Sequence, residues 1–160
     1  MMTSPSAQLT RQLIELMSSA RFEQALLMYS EDIVLKDVFG LPHAHEIHGL
    51  AELRNFYAPL LTNEGARMYE GLQVRNLVIT ETTDPDLAIA QWDYVSSTSD
   101  GEVVNANVIV VRTLKGKIVE SIDYHNHITR AAASGALPGL LAELGAHYAP
   151  ETQVQGLLEA

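Results

Sequence analysis

Helical spacing of apolar residues dominates the first third of the chain. Ser4 and Pro5 mark a helix start, because serine caps a helix and proline fits the first helical position. Beyond them, apolar side chains recur every three or four positions in three segments, at residues 9–17, 22–29 and 50–61. The pattern therefore predicts three N-terminal helices packed on one core.

The remaining pattern is that of strands. A β-branched and aromatic run at 33–39 predicts a short strand carrying Asp37, followed by a histidine-bearing loop at 42–48. From about residue 72 to 128, four β-rich runs are separated by turn sequences at 83–86, 99–101 and 115–116. Such short connections join antiparallel neighbours. Helices followed by a meander indicate an α+β domain with the helices on one face of the sheet.

Composition narrows the class of protein. A chain of 160 residues, 47% hydrophobic and 19% charged, has the size and balance of one globular domain. The net charge of −10 disfavours nucleic acid and anionic membranes as partners. The absence of cysteine excludes disulfides, thiolate metal sites and cysteine nucleophiles. With neither a basic leader nor an apolar run near the roughly 18 residues that span a bilayer, we expect a cytoplasmic protein without membrane contact.

Two stretches of the chain resemble a known superfamily. Residues 27–40 (LMYSEDIVLKDVFG), with 47–53 (IHGLAEL) and the following Phe56-Tyr57 pair, closely resemble the ketosteroid isomerase-like branch of the nuclear transport factor 2-like superfamily. This resemblance covers about residues 8 to 130. It implies a strongly bent antiparallel sheet and three helices that form a cone around an internal pocket for a small hydrophobic ligand, often in a homodimer.

A further resemblance lies in the last predicted strand. Residues 116–128 (GKIVESIDYHNHI) are similar to the corresponding strand of SnoaL-like polyketide cyclases and of phenazine-biosynthesis A/B proteins. Residues 1–130 are accordingly predicted to form the domain. Residues 131–160 are predicted to form an apolar C-terminal extension that either covers the open end of the sheet or contributes to a subunit contact.

Asp37 is the first candidate catalytic residue. The resemblance aligns it with the general base of the ketosteroid isomerases, which shuttles a proton at the carbon beside a carbonyl. The oxyanion donors of that family fall here at Leu13 and near Ile109, and losing one such donor typically costs about 100-fold or more in rate. Asn105 and Asn107 lie on the same strand face as Ile109. In the alternative interpretation, Asp37 is an ordinary strand-end acid that hydrogen-bonds the loop.

Asp123 is the second candidate. Alternation along the last strand places Ser121, Asp123 and His125 on one face, together with Val119 and His127. The resemblance assigns this face to the pocket and aligns Asp123 with a carboxylate that the phenazine group uses in acid–base chemistry. His125 would then donate a proton or orient the acid. Alternatively, Asp123 pairs with Arg75 or Arg112.

Further residues complete the predicted pocket. Trp92 and Tyr94 share one strand face and either stack on a planar ligand or pack in the core. The other predicted ligand-binding residues are Leu13, Tyr57, Asn105, Asn107 and Ser121. The histidines at 43, 45 and 48 are a weak signal for a metal, because no acid other than Glu46 lies nearby in sequence to complete a ligand set. We predict neither a metal nor a cofactor.

The sequence leaves three functions open. The first is a cofactor-independent isomerase or cyclase that moves a proton beside a carbonyl, with Asp123 or Asp37 as base. The second is a non-catalytic ligand-binding or assembly domain, which the missing oxyanion donors favour. The third is epoxide hydrolysis, which would need Asp123, Arg112 and Asp93 to converge. The fold supports all of these chemistries, so the resemblance does not select one.

Overall fold

A computed structural model describes residues 3–67 and 69–149. Its helices are α1 (Pro5–Ser18), α2 (Phe22–Leu26), α3 (Leu50–Tyr57), α4 (Asn63–Arg67), α5 (His127–Ala133) and α6 (Leu137–His147). Its strands are β1 (Tyr29–Asp37), β2 (His45–His48), β3 (Gln73–Glu81), β4 (Leu87–Thr98), β5 (Gly101–Leu114) and β6 (Lys117–His125). The predicted α+β class is confirmed.

All described strands belong to one open sheet with the order β2-β1-β6-β5-β4-β3. The meander from β3 to β6 is antiparallel, as the short turns predict. The sheet is mixed, however, because β1 runs parallel to β6. These two strands lie far apart in the chain, so no tight turn fixes their relative direction. The result is a cone-shaped sheet with helices α1, α3 and α5 against its inner side.

Several element boundaries differ from the pattern-based prediction. The second helix ends at Leu26, and β1 begins at Tyr29 rather than at residue 33. The 42–48 loop contains β2, which pairs with β1. The third helix ends at Tyr57, and β6 ends at His125 instead of running to 128. Backbone pairing of β1 with β2 and β6 explains the changes at β1 and β2, and the Asn126 cap of α5 explains the end of β6.

The core lies between the sheet and the N-terminal helices. Helix α1 is capped by the Ser4 hydroxyl, which accepts from the Ala7 amide at 3.3 Å. Its apolar stripe packs on β3, β4 and β5, while α3 packs on β1. The largest fully buried apolar side chains are Ile14, Leu26, Ile33, Leu53, Val111 and Ile118. This packing leaves a cavity on the inner face of the sheet.

Helix α5 follows β6 directly and packs back on the sheet. The Asn126 side chain caps it by accepting from the Thr129 amide at 3.1 Å, and the helix packs on β4 and β5. The predicted domain boundary at residue 130 falls within α5, and the division into domain and extension stays a prediction. Helix α6 has no buried residue, and residues 150–160 lie outside the described part. None of the helices in residues 3–67 and 69–149 is long and apolar enough to cross a membrane.

Candidate functional site

A cavity of about 320 Å³ opens between the inner face of the sheet and helices α1, α3 and α5. Every predicted acid–base and ligand-binding residue lies in its wall. The acid–base candidates there are Asp37, Asp123 and His125, and the ligand-binding candidates are Leu13, Tyr57, Trp92, Tyr94, Asn105, Asn107 and Ser121. The structure thus brings together side chains from six separate elements.

The two candidate acids stand side by side on neighbouring strands. Asp37 and Asp123 are register partners across β1 and β6. Directly opposed residues of paired strands project from the same face of a sheet, so both carboxylates face the cavity. Two carboxylates so close repel each other unless each has a compensating partner. Asp37 contacts His127, and Asp123 contacts His125.

Asp37 is held by His127, the first residue of α5. The Nε2 atom of His127 lies 2.9 Å from Oδ2 and 3.1 Å from Oδ1. Burial by itself would raise the pKa of Asp37, but the hydrogen bond from His127 and the nearby charges of His127, His125 and His45 outweigh it and lower the pKa. Asp37 therefore remains a carboxylate, and its contact with His127 differs from the loop contact of the alternative interpretation.

Asp123 has a different environment. The Ser121 hydroxyl donates to Oδ1 at 2.5 Å, and His125 Nε2 lies 3.4 Å from Oδ2. The alternative pairing with arginine is wrong, because Arg75 binds Glu102 at 2.7 Å and Arg112 binds Asp84 at 2.8 Å. Asp123 therefore pairs with neither arginine and faces the cavity.

Asn107 determines which ring nitrogen of His125 carries hydrogen. Its amide nitrogen donates to the Asn105 carbonyl at 2.7 Å, which identifies the other amide atom as the oxygen. That oxygen lies 2.7 Å from His125 Nδ1, so Nδ1 must be the donor. A neutral His125 therefore presents the lone pair of Nε2 to Asp123. A proton on either group would turn this contact into an attraction.

Tyr29 is a site residue that the sequence pattern does not predict, because its spacing from Phe22 fits a helix. It is instead the first residue of β1, and with Tyr57 it forms a buried pair of hydroxyls in the cavity wall. Burial raises the pKa of Tyr57, and the charge of Asp123 raises it further. Burial likewise raises the pKa of Tyr29, with smaller contributions from Tyr57 and Asp123. Both hydroxyls therefore stay protonated beside Asp123 and can donate hydrogen bonds.

The remaining wall is apolar with isolated polar atoms. Trp92 and Tyr94 meet edge to face with ring centroids 5.4 Å apart. Leu13 and Ile109 are buried at the positions where the resemblance would place oxyanion donors. The Asn105 side-chain oxygen is buried without a hydrogen-bond partner among the described residues. An unpaired buried acceptor is costly, so it is a natural partner for a ligand donor.

Among the described residues, the three histidines that weakly suggested a metal site do not come together. His48 contacts Glu46 at 3.2 Å, His45 packs against Phe56, and His43 packs against His147. Across the described ranges, no group of three His, Asp or Glu side chains is arranged to hold a metal.

The arrangement of Asp123, Arg112 and Asp93 that epoxide hydrolysis needs is not formed. Arg112 binds Asp84, Asp93 accepts from Asn76, and neither lines the cavity.

Comparison with known proteins agrees with this architecture. Solved structures with the same fold include a proposed isomerase from Bacillus subtilis (14% identity, TM-score 0.66, covering 82% of this chain and 94% of that one). They also include a proposed polyketide cyclase from Xanthomonas campestris pv. campestris (17% identity, TM-score 0.59, covering 81% and 96%). A third is a phenazine biosynthesis-related protein from Pseudomonas aeruginosa (14% identity, TM-score 0.57, covering 81% and 86%).

The sheet, the helices and the pocket have the nuclear transport factor 2-like fold. The sequence model of the SnoaL-like domain matches residues 10–121, which is most of the chain. The protein therefore belongs to the SnoaL-like domain family. A search of curated protein sequences gave no match.

Proposed function

We propose that this protein is a cofactor-independent enzyme of the isomerase or cyclase type, which moves a proton beside the carbonyl of a small hydrophobic molecule. One observation carries the proposal: a carboxylate–imidazole pair, Asp123 with His125, faces an apolar cavity next to the protonated hydroxyl of Tyr57. Base, proton store and hydrogen-bond donor are the parts that such a reaction requires.

In this proposal Asp123 is the base. Its carboxylate takes the proton from the carbon next to the carbonyl, while the Tyr57 hydroxyl donates to the carbonyl oxygen, where negative charge develops. Asp123 and His125 hold the proton until it returns to carbon at the same or another position. Atoms and electrons balance without a cofactor, since one C–H bond breaks and one forms. Tyr57 would substitute for the donors that are absent at Leu13 and Ile109.

Asp37 is the weaker choice of base. Its side chain is 6% exposed, compared with 13% for Asp123. Both of its oxygens contact His127, and its lowered pKa makes it a poorer proton acceptor. Its proposed role is to orient His127 and to stabilise positive charge on that ring.

The second candidate function is ligand binding without chemistry. It is favoured by the buried leucine and isoleucine at the positions where the ketosteroid isomerases carry their donors. The two functions differ in one measurable property, because only the enzyme accelerates exchange of the hydrogens next to a carbonyl.

Hydrogen–deuterium exchange into cyclic ketones such as 2-tetralone, followed by proton NMR in D₂O, tests the proposal. The protein should accelerate exchange, and Asp123→Asn should reduce the acceleration by about 100-fold or more. Asp93→Asn is the matched control, since it makes the same change on the sheet outside the cavity. Equal exchange in the wild type and Asp123→Asn would remove the acid–base role and leave ligand binding.

We also propose that the protein forms a homodimer through the outer face of the sheet and acts in the cytoplasm. Support for the dimer comes from apolar side chains on neighbouring strands that stay exposed or half-exposed: Ile89, Val104, Val108, Val110, Ile122 and Tyr124. Register places Val108 opposite Tyr124 and Val110 opposite Ile122, so they form continuous rows. An apolar patch of this kind is typical of a subunit interface. The cytoplasmic location is proposed from the composition alone.

A further inference from the structure

Arg130 brings a positive charge to the wall of the cavity. It lies on α5 one turn after His127, and among the described residues it is the one lysine or arginine that lines the cavity. The protein carries twice as many acidic as basic side chains, 20 against 10. A cation placed at the site in so acidic a chain calls for an explanation.

The guanidinium is held in place without being neutralised. Its Nη2 atom donates to the Tyr69 hydroxyl at 3.2 Å. The Tyr69 ring in turn packs edge to face on the buried Phe22, with centroids 4.9 Å apart. Within the described ranges, Arg130 forms no ion pair with a carboxylate, whereas Arg54, Arg75 and Arg112 each have one. Most of its five N–H donors therefore remain available.

Its charge also acts on the cavity interior. Burial raises the pKa of both Tyr57 and Tyr94, and the positive charge of Arg130 opposes that rise at each. Arg130, Tyr57 and Tyr94 line the same cavity, so one ligand can contact the guanidinium and these hydroxyls together. A position in the last turn of α5 is favourable for any cation because of the helix dipole, but that benefit does not require the side chain to line the cavity.

We propose that Arg130, supported by Tyr69, binds a carboxylate group on the substrate, so that the natural ligand is a small hydrophobic keto acid rather than a neutral ketone. The guanidinium fork matches a carboxylate in a bidentate geometry. The acidic group of the ligand would lie at Arg130, and its apolar body would place the reacting carbon toward Asp123. This orientation keeps the ligand's charge away from the two aspartates. The inference rests on the proposed function in taking this cavity as the reaction site.

A matched pair of rigid ligands tests the inference by binding alone. Adamantane-1-carboxylate and adamantane-1-carboxamide have nearly the same shape and differ in charge, and neither absorbs where tryptophan is excited. Trp92 is the single tryptophan of the chain and lines the cavity, so its fluorescence reports occupancy. Calorimetric titration supplies an independent affinity.

The wild type should bind the carboxylate about 10-fold or more tightly than the carboxamide, as expected for a hydrogen-bonded charge. Arg130→Gln should abolish the preference, and Arg130→Lys should retain part of it. Arg67→Gln removes an exposed arginine that does not line the cavity and should leave the preference unchanged. Circular dichroism verifies that each variant is folded.

Three results would overturn the inference: no preference in the wild type, uptake of neither ligand, or a preference that survives Arg130→Gln. Its failure is distinguishable from failure of the proposed function. Equal binding of acid and amide would leave the exchange chemistry of Asp123 intact. If the protein binds the acid tightly but does not accelerate exchange in any ketone or keto acid, the proposed chemistry is wrong and the role of Arg130 stands.

Discussion

Asp37 and Asp123 are register partners across the parallel strands β1 and β6, yet each carboxylate contacts a different histidine. The parallel pairing places two like charges on the same face of the sheet. His127 of α5 compensates the charge of Asp37. His125, which belongs to β6 like Asp123, faces Asp123. One pair is therefore suited to a fixed electrostatic role and the other to proton transfer.

The stability of the protein should depend on ionised Asp37. Its pKa is lowered in the folded state, whereas the unfolded value is about 3.9. Its stabilising contribution is thus fully present above about pH 4 and is lost as the pH falls through the folded pKa. At pH 7, Asp37→Asn should cost about 1–3 kcal/mol.

Urea unfolding at pH 7, 5 and 3 measures this effect. The difference between the wild type and Asp37→Asn should shrink at pH 3. Asp32→Asn makes the same substitution at an exposed position of β1 and should stay within about 0.5 kcal/mol of the wild type at each pH. A cost of Asp37→Asn that does not vary with pH would contradict the role of ionisation.

Asn107 should act as a positioning residue for His125. Asn107→Leu removes the acceptor at Nδ1, so the hydrogen is free to move to Nε2 and the ring no longer presents a fixed lone pair to Asp123. Long-range proton–nitrogen NMR should show the Nδ1–H tautomer of neutral His125 in the wild type and a mixture in the variant. Asn107→Asp keeps an acceptor and should keep the tautomer. An unchanged tautomer in Asn107→Leu would show that the contact does not fix the ring.

The Tyr57 hydroxyl should matter for rate more than for binding. Tyr57→Phe removes the donor proposed for the developing oxyanion, and we expect ketone exchange to slow by about 100-fold while ligand affinity changes little. Tyr124→Phe is the matched control, because that ring lies on the opposite face of β6 and packs against Phe39. A slowing no greater than that of the control would assign the donor role to another group.

The outer face of the sheet should determine whether the protein forms a dimer. Val108 opposes Tyr124 at the centre of the apolar rows, and Val108→Glu would introduce a charge there. Sedimentation equilibrium should give a dimer for the wild type and a monomer for the variant. Asn76→Glu, on the edge strand β3, should leave the mass unchanged. A wild-type monomer would refute the dimer.

Periodicity in the sequence was sufficient for much of the architecture. Helical spacing predicted α1 and α3, and turn residues predicted the antiparallel meander, because both signals are local. Alternation also placed Ser121, Asp123 and His125 on one face, and the cavity confirms that they share it. Asp37 was predicted as a site residue from the resemblance, because spacing in the sequence cannot show that it lies beside β6.

Tertiary structure determined what local patterns do not encode. Tyr29 satisfies a helical period and a strand position equally well, and it became a site residue because its backbone pairs with Ile118 of β6. Packing settled the partners of Asp37 and His125: His127 comes from helix α5, and Asn107 comes from the neighbouring strand β5. The sequence by itself determined the α+β class through its periodicity, and the family resemblance supplied the expected pocket residues. Only the tertiary structure decided that Asp37 meets His127 and that Asn107 meets His125, because those contacts depend on strand register and helix docking between segments distant in the chain.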